Sequence, residues 1–230
     1  MTPLILLPGM MCDERLFTPQ IDAFSGERDV LVFVLSDHST IADLATDILA
    51  HSPDRFALLG LSMGGIVAME MMAQAAERID RIALLDTNPL AEVDEVKQRR
   101  KPQLDTVKQG RLRDVMRDEM KPNYLSKGPR REAVLKTCMD MALDLGPEVF
   151  IRQSHALMDR VDQTKTLENI NVPTLIMCGR DDTLCPISRH ELMHRLVPNS
   201  TLDIIENAGH LPTLEQPEKT NESLNKWLKH

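Results

Sequence analysis

The sequence predicts an α/β protein: about six parallel strands in one sheet, helices on both faces, and a helical insertion late in the sheet. Three observations predict it. Six short apolar runs recur along the chain, and the first five are continuous rather than alternating, as in strands buried on both faces of a parallel sheet. Amphipathic stretches at 40–51 and 63–77 lie between them, the alternation that builds right-handed βαβ crossovers. That alternation stops at Asn88-Pro89 and resumes only at Asn171-Val172-Pro173.

Strands are expected first at 3–8 (PLILLP, cut by Pro8-Gly9), 29–35 (DVLVFVL), 56–61 (FALLGL) and 81–86 (RIALLD). The block that follows holds no convincing strand and reads as helices punctuated by Pro102, Gly110, Pro122, Gly128-Pro129 and Gly146-Pro147. Strands return at 173–179 (PTLIMCG) and 200–206 (STLDIIE). The chain therefore divides into a core, 1–88 and 171–230, and an insertion, 89–170.

Composition narrows the function classes. With 230 residues, 42% apolar and 27% charged, the chain can bury a real core and is not disordered. Seven aromatic rings and a net charge of −8 argue against a nucleic-acid stacking platform or phosphate-tracking groove. Fourteen methionines are expected to fill space that rings fill elsewhere. Four scattered cysteines without a CxxC pair, no secretory leader and no long apolar run point to free thiols, no membrane span and a cytoplasmic location. The charge is uneven: residues 92–136 carry 13 basic and 8 acidic side chains, so the insertion is basic and the core acidic.

The strongest chemical signal is Gly60-Leu61-Ser62-Met63-Gly64-Gly65, directly after one strand and directly opening a helix. A serine on so sharp a turn is pushed outward at the sheet's edge, and glycines two residues either side avoid collision with the neighbouring strand and helix. Such a nucleophile needs a base, and the base an orienting acid. Both should lie where later strands end. Arg180-Asp181-Asp182 follows the fifth strand and Asn207-Ala208-Gly209-His210 the sixth, in the chain order of an elbow-type hydrolase.

On these residues the chain resembles the α/β-hydrolase superfamily, of the serine esterase type with a short core and a helical lid, over Leu4 to Leu228. The family's GxxDxxxP pattern falls on Gly179, Asp182 and Pro186, which makes Asp182 the acid beside Ser62 and His210. Asp181 and Asp86 are the alternatives, although an N-cap role is the expectation for Asp86. The resemblance also implies an oxyanion hole from the backbone N–H groups of Met10 and Met63. Pro8 stands where the family's HG dipeptide has His; the donor is a backbone amide, so the substitution leaves it intact. Family members often begin with two further strands, and here a sheet of six, all parallel, is expected. Serine at position 62 disfavours the aspartate-nucleophile branches.

A competing motif is His190-Glu191-Leu192-Met193-His194, a literal HExxH. Leu192, Met193, Leu196 and Val197 define that helix's apolar face, which puts both histidines toward the polar side, and no third ligand follows. No metal is expected.

The reading is a serine hydrolase that cleaves carboxylic esters of small or medium acyl groups through an acyl-enzyme, with no cofactor. Met11, Met116, Met120 and Met158 are candidates for the acyl pocket under the lid. Thioesterases, acyltransferases, triad-bearing lyases and a non-catalytic small-ligand receptor are the alternatives on the same scaffold. Solvated helix faces are the expected explanation of Arg111, Arg113, Arg117, Arg130 and Arg131; the sharper one is steering of an anionic carrier, acyl carrier protein or CoA.

Overall fold

The computed structural model describes residues 1–120 and 123–229. Pro122, one of the expected breaks, lies outside the described residues. In chain order the elements are β1 (Leu4–Leu7), α1 (Thr18–Phe24), β2 (Val30–Val32), α2 (Ile41–His51), β3 (Phe56–Leu61), α3 (Met63–Ala75) and β4 (Ile79–Leu85). Next come α4 (Asp94–Lys108), α5 (Leu112–Val115), α6 (Arg131–Met158) and α7 (Thr164–Glu168). The chain closes with β5 (Thr174–Gly179), α8 (Ile187–Leu196), β6 (Ser200–Ile205), α9 (Pro212–Glu215) and α10 (Pro217–Lys229). The six strands form one sheet in the order β2-β1-β3-β4-β5-β6, and every pairing is parallel. All strand C-termini therefore face one edge, where the site is built.

Alternation along each strand feeds two cores. Leu4 and Leu6 of β1, Leu59 of β3 and Leu85 of β4 point into one, with Phe24 and Trp227 from α1 and α10. Ile5, Leu7, Leu58 and Leu84 point into the other, against Ile48 of α2 and Val67 and Met71 of α3. Eleven of the fourteen methionines are buried, so sulfur and flexible chains do fill where rings are few. Every residue of β1, β3 and β5 is buried, which is why those runs are continuous.

The run at 29–35 departs from expectation. Only Val30–Val32 pairs, all three are half-buried, and the strand is the sheet's outer edge. One face and one backbone edge are only partly covered, so the apolar run is longer than the strand. Pro102 does not break a helix but lies inside α4, whereas Gly146, at φ +82°, bends α6. Among the described residues no helix is long and apolar enough to cross a membrane.

Gly179, the last residue of β5, carries the return loop from β6 directly on its Cα. A Cβ there would sit 1.9 Å from the Gly209 carbonyl oxygen. Gly179→Ala is expected to cost about 3 kcal/mol or more, read as a fall in melting temperature, because backbone rather than a flexible side chain must move.

Candidate active site

Ser62 joins β3 to α3 with φ +56° and ψ −115°, a left-sided conformation that costs a non-glycine residue about 1–3 kcal/mol. Main-chain bonds hold it there. Its N–H donates to Leu85 O at 2.9 Å, and its carbonyl accepts the Thr87 hydroxyl at 2.7 Å. The backbone at this corner is too close for side chains: a Cβ on Gly64 would meet Leu7 O at 2.0 Å, and one on Gly60 would meet Gly64 O at 2.2 Å. The loop after β1 passes just as near, since a Cβ on Gly9 would lie 3.3 Å from that of Ser62.

Three side chains predicted from the sequence meet at this corner. His210 Nε2 lies 2.9 Å from Ser62 Oγ, and its Nδ1 lies 2.8 Å from Asp182 Oδ2. Asp182 is buried and its Oδ1 accepts the N–H groups of Leu184 and Cys185 at 2.8 and 3.0 Å. Burial pushes the Asp182 pKa up, but the His210 charge and hydrogen bond, with the two amides, outweigh it and hold the carboxyl below the usual range. Asp181 is exposed, has no recorded side-chain bond to His210, and anchors its loop through N–H to Ala208 O.

Asp86 is not the N-cap expected for it. It is fully buried at φ +44°, its Oδ1 accepts Gly179 N–H at 2.9 Å, and its Oδ2 has no N–H or O–H donor among the described residues. Burial, then the charge of Asp182, hold its pKa well above the carboxylate range, so the proton sits on Asp86 and can be shared with Asp182. His190 also departs from expectation: it is buried, not on the helix's polar side. Its Nε2 accepts Thr87 N–H at 3.1 Å, next to Asp86, and burial lowers its pKa to about 4. His194 instead meets Ser200 Oγ at 2.7 Å, so the two histidines of the HExxH motif do not converge on one point.

The His210 loop is clamped from both sides by Glu215 of α9. Glu215 Oε1 accepts the N–H groups of Gly209 and Leu211 at 2.9 and 3.1 Å, and Oε2 accepts Ser126 N–H and Oγ–H at 2.8 and 2.9 Å. His210 N–H donates to Tyr124 O at 2.6 Å, and the Tyr124 ring lies 6.1 Å from the imidazole. Sequence reasoning missed Glu215 and Tyr124. The signal available was a carboxylate five residues beyond the histidine and a lone tyrosine in the insertion.

Ser62 and His210 open into a cavity of about 780 Å³ whose wall includes Met10, Met63, Met120, Cys12 and Cys185. Met10 N–H has no acceptor among the described residues, and Met63, first in α3, has none within its helix. Of the methionines expected in the acyl pocket only Met120 reaches the wall. Met11 and Met116 are core residues, Met158 packs beside that core, and Met11 N–H is taken by Gln153. The wall is more charged than the sequence suggested, with Arg99, Arg100, Arg160, Arg189, Glu92 and Glu119. None of the five arginines expected to steer a carrier lines the cavity: Arg113 is exposed, Arg117 pairs with Asp114 and Asp118, Arg130 with Glu218, Arg111 bonds Gln109, and Arg131 the carbonyls of Leu125 and Ser126.

Asp182, Cys185 and His210 offer ligand atoms within 4.8 Å of one another. Burial pushes the Cys185 thiol up, which keeps it protonated and a poor metal ligand, and Asp182 and His210 already bond each other.

A protonated, buried Asp86 predicts how stability varies with pH. Below about pH 4 both folded and unfolded chains hold its proton; above it only the folded chain does, so the parent loses stability as pH rises toward the raised folded pKa. Asp86→Asn removes that loss while keeping an acceptor for Gly179 N–H and a donor toward Asp182. Thermal melts should show the variant gaining stability over its parent as pH rises from 4 to 8.

The alpha/beta hydrolase family model matches residues 4–223. The pimeloyl-[acyl-carrier protein] methyl ester esterase of Salmonella newport is 26% identical over 183 residues, covering 77% of this chain and 72% of that protein. The biotin biosynthesis bifunctional protein BioHC of Teredinibacter turnerae is 22% identical over 98% of this chain, which spans only 44% of that longer protein. Among solved structures, a malate-bound thermophilic esterase from Thermogutta terrifontis superimposes with a TM-score of 0.91 at 26% identity, over all of this chain and 90% of that one. The enol-lactonase of Burkholderia xenovorans shares the fold, with a TM-score of 0.87 at 21% identity over 100% and 92% of the two chains. The match along nearly its whole length makes this chain a member of the alpha/beta hydrolase family.

Proposed function

We propose that this chain is a serine hydrolase that cleaves carboxylic esters of small or medium acyl groups through an acyl-enzyme. One observation carries the reading: the continuous relay Ser62 Oγ–His210 Nε2 at 2.9 Å and His210 Nδ1–Asp182 Oδ2 at 2.8 Å, at the floor of a cavity. Neutral His210 takes the Ser62 proton as Oγ attacks the acyl carbon, and ionised Asp182 fixes the tautomer and stabilises the imidazolium. The tetrahedral oxyanion is received by the N–H groups of Met10 and Met63, whose position beside Ser62 supports that role. His210 returns the proton to the leaving alkoxide, and a water activated by the same ring releases the acid.

In this reading the insertion at 89–170 is the lid. It supplies Leu90, Val96, Met120 and Leu157 to the cavity wall, and the exposed side chains of Val93 and Leu184 mark the mouth. The esterase named for the Salmonella relative acts on an acyl-carrier-protein ester, which favours a carrier-borne ester as the second reading. Arg117 and Arg130 are paired with acids, whereas Arg111 bonds a neutral oxygen and keeps its charge for a carrier on that face.

Ser62→Ala is expected to lower p-nitrophenyl acetate turnover by about 10³-fold or more and to abolish labelling by a fluorophosphonate. Asp182→Asn should cost on the order of 10²–10⁴-fold in kcat with the fold retained. A parent enzyme that neither turns over the ester nor takes the label would end this reading.

A further inference from the structure

Arg100 sits in the wall of the cavity with its donors largely unanswered. Its side chain is only 14% exposed, and its Nε is enclosed without an acceptor among the described residues. The polar atom recorded at Nη1 is the thioether sulfur of Met10, at 3.7 Å. Nη2 lies 3.8 Å from Glu92 Oε2, beyond hydrogen-bond reach. Glu92 does not turn to meet it, because Arg160 holds both of its oxygens, Nη1 at 2.9 Å from Oε2 and Nη2 at 3.2 Å from Oε1. The other wall acid, Glu119, accepts from Gln103 at 2.9 Å. Four arginines thus face two glutamates around this cavity, a surplus of cation in a chain of net charge −8.

A buried guanidinium short of acceptors is costly to maintain, and a ligand anion is what would satisfy it. Its planar fork matches a carboxylate, which can accept two parallel N–H bonds. Its place in the cavity points to which part of a substrate carries that group. Met10, whose sulfur lies 3.7 Å from Arg100 Nη1, follows Gly9, where a Cβ would lie 3.3 Å from that of Ser62, and Met10, Ser62 and Arg100 line the same cavity.

We propose that Arg100 is a specificity residue that binds a carboxylate on the acyl part of the ester, making the preferred substrate a monoester of a short dicarboxylic acid. The inference rests on the serine-esterase reading for its chemistry but on Arg100 alone for its selectivity. Burial lowers the pKa of Arg100 more than Glu92 restores it, as expected of a cation awaiting a counter-charge. A phosphate on a carrier is the less fitting anion, since Arg100 lies within the cavity while Val93 and Leu184 mark its mouth.

The test compares kcat/KM for monomethyl succinate and monomethyl glutarate with that for methyl butyrate and methyl valerate, in the parent, Arg100→Gln and Arg100→Lys. The parent should favour the ionised esters at least tenfold. Arg100→Gln should shrink that ratio by about 10–100-fold, mostly through KM, with Arg100→Lys between the two. Calorimetry of glutarate against butyrate with the parent and with Ser62→Ala needs no turnover, so it decides the Arg100 assignment even if no ester is cleaved. Glutarate should bind at least tenfold more tightly than butyrate, and adding Arg100→Gln to Ser62→Ala should erase the difference. A parent ratio near one, a ratio that Arg100→Gln leaves unchanged, or inorganic phosphate or CoA displacing glutarate at lower concentration than succinate does would each overturn the proposal.

Discussion

Three backbone segments crowd onto the corner at Ser62, and the rest of the site takes its positions from that crowding. The chain turns from β3 into α3 through one residue at positive φ, leaving Leu7 O, Gly60 and Gly64 within a carbon atom's reach of one another. The strain is local, and what opposes it is distributed: Leu85 O and the Thr87 hydroxyl, both from the end of β4, hold the two sides of the Ser62 peptide. Thr87 is in turn held through its N–H by buried His190. The direction of Ser62 is thus set by main chain and neighbouring strands rather than by the rotamer of a side chain on a loop.

Protons are distributed sparingly around this corner. Asp182 is ionised, Asp86 beside it is protonated, His190 is neutral down to about pH 4, and burial pushes the thiol of Cys178 up to about 12. A second carboxylate charge there would be an unpaired anion in an apolar interior. Asp182 carries the charge because it has three N–H donors where Asp86 has one.

The sheet was largely legible because three strands are wholly buried runs, a fourth is mostly so, and the turns between them carry glycine and proline. Position 62 stood out for a similar reason: close backbone approach leaves glycines in the sequence. What the sequence hid was of another kind. The run at 29–35 is apolar over the six residues 30–35, yet only three pair, because edge position depends on strand order and not on composition. His190 reads as polar on a helical wheel, but it is drawn inward by one N–H of a residue more than a hundred positions away. Met11, Met116 and Met158 were expected at the cavity by residue type alone, and core packing claimed them. Arg100 looked like one more surface cation in a basic stretch, and only its burial sets it apart.

The clamp at Glu215 has a mechanical consequence. One carboxylate joins Gly209 and Leu211, either side of the imidazole, to Ser126 of the insertion, while Tyr124 O takes the His210 amide. The segment around 124–126 is therefore a hinge pin rather than a door. If it lifted, His210 would lose the acceptor of its N–H, and Glu215 would lose both of its bonds to Ser126. Any widening of the cavity that keeps the relay aligned has to come from the opposite jamb, where α4 and the residues before it stand clear of this clamp.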